Sequence, residues 1–197
     1  MSYVVGLVRG VTILDNIMYV VCDESSTILM YNTDTYSPLD VVINVTGMKH
    51  PWDIVVCRDD RQLYVADYNY CIWRVLADDH SDQEKWLPTD SKTHCRFWLP
   101  TESTTHTFHV NTLSVTSRRL LVTSWDPPSL REYSTTDRQL LRVVQLPGYV
   151  MELYHGIETT RDTFVISHRG TGMWWSMFMD TQYSAVSELI GFSIITG

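Results

Sequence analysis

The fold class is determined by the stretch Gln62-Leu63-Tyr64-Val65-Ala66-Asp67 and, after a short polar turn, Cys71-Ile72-Trp73-Arg74-Val75. Apolar residues rich in β-branched and aromatic types fill both runs, with Asp and Asn between them, which is typical of a β-hairpin rather than a helix. Successive side chains point to opposite faces of a strand, so Leu63 and Val65 share one face and Tyr64 lies on the other. We therefore expect a sheet that is buried on both faces.

The same layout of two strands joined by a turn recurs along the chain, and a further short apolar run precedes each copy. Four copies can be aligned, and the intervals between equivalent residues are 45, 57 and 43 (Tyr19, Tyr64, Leu121 and Phe164). A period of roughly 40–45 residues with four strands per unit is typical of β-propeller blades.

The interval of 57 residues contains a second, shorter repeat. The sequence WLPTDSKTH at 86–94 is followed twelve residues later by WLPTESTTH at 98–106, and removal of one twelve-residue copy reduces 57 to 45. We interpret 86–109 as a duplicated loop. A blade has room for one outer strand from this segment, so we expect the other copy to bulge out.

At residues 51–75 the sequence resembles the NHL-repeat family of β-propellers. Three runs, PWDIVV at 51–56, LYVAD at 63–67 and IWRV at 72–75, are similar to the family's Pro-x-Gly-Ile-x-Val, Leu-Tyr-Val-Ala-Asp and Ile-x-x-Val strands. Asp53 stands where the family usually has Gly, and Ser124 replaces the strand-ending Asp in the third copy. The resemblance extends roughly over residues 10–170 and implies a propeller.

We predict an all-β fold, a β-propeller of four-stranded antiparallel blades, in a single domain over residues 1–197. The blades are expected at roughly 10–45, 51–90, 107–146 and 152–180. The resemblance leads one to expect six blades, so about four blades indicate an incomplete or open ring. A four-bladed ring closed by the C-terminal tail is the alternative.

Composition and charge narrow the classes of partner. The chain is 44% hydrophobic and 12% aromatic, which supports a packed core, and its net charge of −8 disfavours broad electrostatic binding to nucleic acid or anionic membranes. No apolar run approaches the roughly 18 residues of a membrane-spanning helix. The N-terminus lacks the basic region of a signal peptide. The compartment is not assigned, and an intracellular location is slightly favoured.

The four Cys residues and the strand-ending Asp residues have structural interpretations. The cysteines lack CxxC spacing, so we expect buried thiols, with a disulfide such as Cys57–Cys71 as the alternative. Asp23 and Asp67 end inner strands, where a carboxylate can accept backbone N–H bonds from the next turn.

No motif nominates a catalytic or metal centre. The sequence contains no P-loop, GxGxxG, GxSxG or HExxH pattern. His106 and His109 would face opposite ways on a strand, and the acidic run 78–84 lacks the Gly and spacing of an EF-hand loop. We predict no catalytic residue, no metal site and no cofactor.

The predicted function is a non-catalytic scaffold that binds a protein or peptide partner through one face of the propeller. Turns on that face present aromatic residues, which are the usual anchors of binding sites, so the predicted binding residues are Trp52, Tyr68, Tyr70 and Trp125. The structural interpretation of Trp52 and Trp125 is that they pack between blades.

Two alternatives come from other classes of function. The propeller face could bind single-stranded RNA, although Arg118-Arg119 is the one adjacent basic pair in the sequence. A metal in the central channel could support a hydrolase or lyase, for which Asp23, Asp67 and His168 are the candidate ligands.

Overall fold

The regular secondary structure of the described residues is entirely β. The computed structural model describes residues 6–68, 71–87, 110–125, 128–144, 146, 150–160, 163–169, 174–180 and 186–189. The strands are β1 (Val8–Leu14), β2 (Ile17–Cys22), β3 (Thr27–Asn32), β4 (Ile43–Asn44), β5 (Pro51–Cys57), β6 (Gln62–Asp67), β7 (Cys71–Leu76), β8 (Gln83–Leu87), β9 (Val110–Thr116), β10 (Arg119–Trp125), β11 (Pro128–Ser134), β12 (Leu140–Val144), β13 (Glu152–Thr160), β14 (Thr163–Arg169), β15 (Trp174–Asp180) and β16 (Val186–Leu189).

These strands form four antiparallel sheets of four strands each, in chain order: β1–β4, β5–β8, β9–β12 and β13–β16, hereafter sheets 1 to 4. Each strand pairs with the next along the chain, so every sheet is a meander of hairpins. The predicted all-β fold of four-stranded antiparallel sheets is confirmed. Within the described residues, no helix is long and apolar enough to cross a membrane.

Consecutive sheets pack face to face through three buried clusters. The first joins sheets 1 and 2, the second joins sheets 2 and 3, and the third joins sheets 3 and 4. Strand β6 shows why both faces are apolar: Leu63 and Val65 belong to the first cluster, whereas Tyr64 and Ala66 belong to the second. Trp86 of β8 completes the second cluster with edge-on contacts to Tyr64 and Tyr133, at centroid distances of 5.1 and 6.0 Å.

One face of β1 is exposed where its counterparts are buried. Ile54 of β5 and Leu113 of β9 face the preceding sheet and are each 1% exposed, whereas Val11 and Ile13 of β1 are 49% and 43% exposed. Because the described residues contain no sheet before sheet 1, this face has no such cover. Whether the ring is open, larger or closed by the tail stays a prediction, since the tail lies outside the described residues.

Strand registers give the equivalence of the four sheets. Cys22 pairs with Val8 as Asp67 pairs with Pro51, and Ser124 and His168 occupy the same position in sheets 3 and 4 (Ser124↔Val110, His168↔Leu153). The equivalent of Asp67 in sheet 1 is therefore Cys22, one residue before Asp23. By the same registers, Val165 and not Phe164 corresponds to Tyr64, which makes the last interval 44 residues.

The first two residues of the duplicated segment belong to the sheet. Trp86 and Leu87 end β8, the outer strand of sheet 2, and are buried. The remainder, 88–109, lies outside the described residues. The described cysteines are buried free thiols, so the alternative disulfide between Cys57 and Cys71 is wrong. Burial raises the pKa of the Cys22 and Cys57 thiols above its ordinary value.

The sheets have two distinct ends. At one, which we call the hairpin end, lie the turns between the first and second strands, and each of the three described turns contains a non-glycine residue with φ of +52° (Asp15, Arg61 and Ser117). At the other, which we call the aromatic end, the first strand of each sheet begins and the second strand finishes. The candidate site lies at the aromatic end.

Candidate functional site

A β-bulge occurs near the start of the first strand of every sheet. The registers skip Arg9 in β1, Trp52 in β5 and Tyr154 in β13, and β9 has the pair Asn111 and Thr112 opposite the single residue Thr123. A bulge adds one residue to a strand, bends it and redirects a side chain, and bulges are frequent beside functional sites. Here the four bulges put one unpaired residue of each sheet at the aromatic end.

A second set of side chains reaches the same end from the finish of the second strands. Asp23 follows β2, Tyr68 follows β6, and Trp125 is the last residue of β10. Tyr68 and Trp125, together with bulge residues of sheets 2, 3 and 4, line a cleft of about 200 Å³. Its lining residues are Trp52, Tyr68, Asn111, Trp125, Glu152 and Tyr154.

The sheet 1 side of the cleft is an aromatic and ionic cluster. The rings of Trp52 and Tyr68 lie 5.2 Å apart with an interplanar angle of 34°. The guanidinium of Arg9 lies over the Trp52 ring, 4.0 Å from its centroid, and donates from Nε to Asp23 Oδ2 at 3.1 Å. The hydrogen bond from Arg9 lowers the pKa of Asp23 below its ordinary value. The cation is therefore held on the ring by a carboxylate of its own sheet.

The bulges of sheets 3 and 4 are tied together by polar side chains. Asn111 is 4% exposed, and its Nδ2 donates to the carbonyls of Leu153 and Tyr154 at 3.0 and 3.1 Å. Thr112 donates from Oγ1 to the same Tyr154 carbonyl at 2.8 Å. Tyr154 in turn donates its hydroxyl to Glu152 Oε2. These bonds satisfy the bulged backbone and hold the Tyr154 ring in the cleft.

The residue after the bulge of β5 links sheet 2 to sheet 3. Asp53 accepts hydrogen bonds from its neighbour Ile54 N at 2.9 Å and from Leu113 N of sheet 3 at 2.8 Å. Burial raises the pKa of Asp53 to about 6. At the equivalent Gly10 an added Cβ would lie 2.8 Å from Ile54 N, so a side chain does not fit between sheets 1 and 2.

Asp67 is a structural acceptor, as expected, but its partners differ from the expected ones. It is fully buried and accepts from Lys49 N at 3.1 Å, from His50 N at 2.8 Å and from Trp73 Nε1 at 3.1 Å. The backbone donors therefore belong to the loop before β5, not to the turn after β6. Asp23 instead accepts from Glu24 N, in the turn that follows its strand, and from Arg9.

Three of the four binding residues predicted from sequence meet in this cleft, namely Trp52, Tyr68 and Trp125, and each is half-buried. Tyr70 lies outside the described residues. Sequence reasoning missed Asn111, Glu152 and Tyr154, and it missed Arg9. Tyr154 lies in the short apolar run that precedes the fourth copy of the strand pair. The available signal was its alignment with Trp52, which needs the register of the bulges.

No metal centre is visible in the described part of the chain, where no three His, Cys, Asp or Glu side chains are grouped to bind an ion. Of the candidate channel ligands, His168 and Asp67 are buried within their sheets, at 1% and 0% exposed.

Comparison with solved structures identifies the architecture as a β-propeller. The chain is similar to the computationally designed Ika4 protein, with a TM-score of 0.59 and 10% identity over 87% of this chain and 91% of that one. It is also similar to U3-55K, with a TM-score of 0.64 and 12% identity over 95% of this chain and 53% of that one. A chain of the nidogen/laminin complex gives a TM-score of 0.60 and 14% identity over 90% and 62%.

These likenesses establish the fold class, and the finer NHL assignment stays a proposal. The chain spans about half of the U3-55K chain and of the RRP9 WD40-repeat chain, of which it covers 53% and 52%. No protein-family model matches the sequence, and no curated protein matches it either.

Proposed function

We propose that this chain is a non-catalytic scaffold that binds a protein or peptide partner at the aromatic end of its propeller. The observation that carries the proposal is the cleft itself, in which the rings of Trp52, Tyr68, Trp125 and Tyr154 converge from three sheets. Half-buried Trp and Tyr side chains offer large apolar contact area at low entropic cost, and such residues dominate the binding energy of interfaces.

Hydrogen bonds between the sheets hold the backbone that carries the rings, which favours a rigid binding site. Asn111 and Thr112 connect sheet 3 to sheet 4, and Asp53, which follows Trp52 of the cleft, connects sheet 2 to sheet 3. A site whose backbone is held in this way loses little conformational entropy when a ligand binds. Among the similar structures, the nidogen/laminin complex shows a propeller-containing chain in a protein assembly.

Peptide-display selection on the purified chain tests the proposal. Dissociation constants of enriched peptides are measured by fluorescence anisotropy for the wild type, for the cleft variants Trp52→Ala, Tyr68→Ala and Trp125→Ala, and for Tyr70→Ala, whose residue is predicted from the sequence alone. Loss of a central aromatic anchor is expected to weaken binding about tenfold or more. Tyr36→Ala is the matched control, because Tyr36 is 74% exposed in a turn at the hairpin end.

The proposal is supported if Tyr36→Ala binds the peptides as tightly as the wild type, and the cleft variants bind them more weakly at unchanged melting temperatures. Enrichment of no peptide, or peptides that bind every cleft variant as tightly as the wild type, contradicts it. A labelled 20-nucleotide poly-uridine at low salt forms the other arm, because single-stranded RNA also stacks on aromatic rings. RNA binding without peptide binding would replace the scaffold with the RNA alternative.

A further inference from the structure

The aromatic cleft contains one acidic side chain, and this decides which ligand group it fits best. Four of its six lining residues are aromatic, one is the amide Asn111, and one is the carboxylate Glu152. Neither Lys nor Arg is among these lining residues of the described chain. We propose that the cleft binds the cationic side chain, Lys or Arg, of a peptide partner. This inference rests on the proposed function and specifies its ligand.

The same surface already holds a cation in the proposed manner. Arg9 lies 4.0 Å from the centroid of the Trp52 ring, where the electron-rich face attracts a positive charge. Asp23 accepts hydrogen bonds from that guanidinium, and its side chain is 27% exposed. The contacts of Arg9 with the Trp52 ring and with Asp23 thus combine an aromatic face with a carboxylate. The cleft presents the same combination to a ligand.

Glu152 supplies the second carboxylate. It lies at the start of β13, is half-buried, and accepts the hydroxyl of Tyr154 on Oε2. A carboxylate has two oxygens and about four acceptor positions, so it can accept from a ligand cation alongside its partners within the chain. The aromatic walls lower the local dielectric, which strengthens a charge-assisted hydrogen bond.

The size of the cleft favours a single side chain. Its volume of about 200 Å³ is below the roughly 300–1,000 Å³ of small-molecule sites. An alkyl stem between the rings with its charged head at Glu152 uses both features of the cleft. A phosphate-bearing ligand such as RNA would bring negative charge to the same carboxylate, which disfavours it.

Nuclear magnetic resonance with two small probes tests the inference. Nα-acetylarginine amide carries a guanidinium, and Nα-acetylcitrulline amide has nearly the same shape without the charge. We expect the arginine probe to shift the indole N–H signals of Trp52 and Trp125, assigned with Trp→Phe variants, with an affinity about tenfold above that of the citrulline probe. Equal affinities for the two probes would overturn the inference.

The variant Glu152→Gln, which removes the charge of this side chain, tests whether Glu152 is the group that binds the cation. Glu152→Gln is expected to reduce binding of the arginine probe to the level of citrulline. Glu24→Gln makes the same change of net charge at an exposed residue of the same end and should leave both probes unaffected. If Glu152→Gln retains the preference for arginine, the inference is wrong. Should Glu152→Gln not fold, the arginine and citrulline comparison on the wild type still decides.

The two proposals fail separately. Peptides that bind Trp125→Ala more weakly than the wild type but show no preference for Lys or Arg would support the scaffold proposal. They would contradict the inference of a cationic ligand. Display-selected peptides that bind every cleft variant as tightly as the wild type would contradict the scaffold proposal itself.

Discussion

At the hairpin end neighbouring sheets are joined by charged side chains, whereas at the aromatic end they are joined by backbone-directed hydrogen bonds beneath a cleft of rings. Arg61 bridges sheet 1 and sheet 2 through Asp15 at 2.8 Å, and Arg118 pairs with Asp60 across sheets 2 and 3 at 3.5 Å. Asn111, at the other end, uses its amide to bond backbone carbonyls of sheet 4.

This difference indicates that the charged side chains of the hairpin end contribute mainly to stability and the rings of the aromatic end mainly to ligand binding. At the hairpin end the charged side chains pair with one another across neighbouring sheets. At the aromatic end the polar groups beneath the cleft bond the backbone and leave the rings half-buried. Substitutions of the cleft rings should therefore alter ligand binding with little effect on folding, and substitutions in the ion pairs between sheets should do the reverse.

The largest expected effect is the loss of a carboxylate between sheets 3 and 4. Glu158 pairs with Arg119 at 2.8 Å and with Arg142 at 3.1 Å, and its side chain is 4% exposed. Glu158→Gln leaves two guanidinium groups beside one remaining carboxylate, Glu132, and should lower the free energy of unfolding by about 3 kcal/mol.

Urea unfolding measures this change, with Asp40→Asn as the control because Asp40 is an exposed carboxylate away from both ends' inter-sheet bonds. Peptide affinity should be unchanged in folded Glu158→Gln. Weaker peptide binding at full stability would contradict the separation of the two ends.

A pH-dependent effect of intermediate size is expected at Asp53. Its pKa in the folded chain is about 6, above the ordinary 3.8, so the folded state retains its proton over a range in which the unfolded state has lost it. Stability should therefore fall as pH rises from about 4 to about 6 and change little above that. Asp53→Asn removes this contribution.

The measurement is the urea midpoint of the wild type minus that of Asp53→Asn across this pH range. The difference should decrease with rising pH. A difference that increases would mean that the hydrogen bonds from Ile54 and Leu113 outweigh burial and that the carboxylate is ionised at low pH.

The smallest expected effect belongs to an exposed ion pair at the hairpin end. Arg61 contacts Asp15 and Asp78, and all three side chains are 42% exposed or more. Arg61→Gln should lower the melting temperature slightly at low salt, and the loss should disappear in 1 M salt, because screening weakens exposed pairs. A salt-independent loss would show that Arg61 acts through packing.

The sequence was sufficient for the sheets and for part of the site. Alternation in 62–67 and 71–75 predicted a strand pair with two buried faces, and β6 and β7 show it. Trp52, Tyr68 and Trp125 were found because they flank strand ends next to turn residues. In these cases the local pattern contains the information.

The remainder depends on register, which a single sequence does not show. Tyr154 and Trp52 are equivalent only after the bulges are counted, and no local pattern marks a bulge. The partners of Asp67 differ from those expected because the loop before β5 returns to the end of β6 only in the folded sheet. Contacts between sheets, such as Asn111 to Leu153, lie about forty residues apart in the chain.

Titration of a display-selected peptide into the labelled chain, followed through the tryptophan indole N–H signals, is the most direct test of the aromatic cleft as the binding site. The prediction is that Trp52 and Trp125, which line the cleft, shift with the peptide, and that Trp73 and Trp86, which are buried between sheets, do not. Shifts confined to backbone amides of the hairpin end, such as those of Arg58–Arg61, would contradict it.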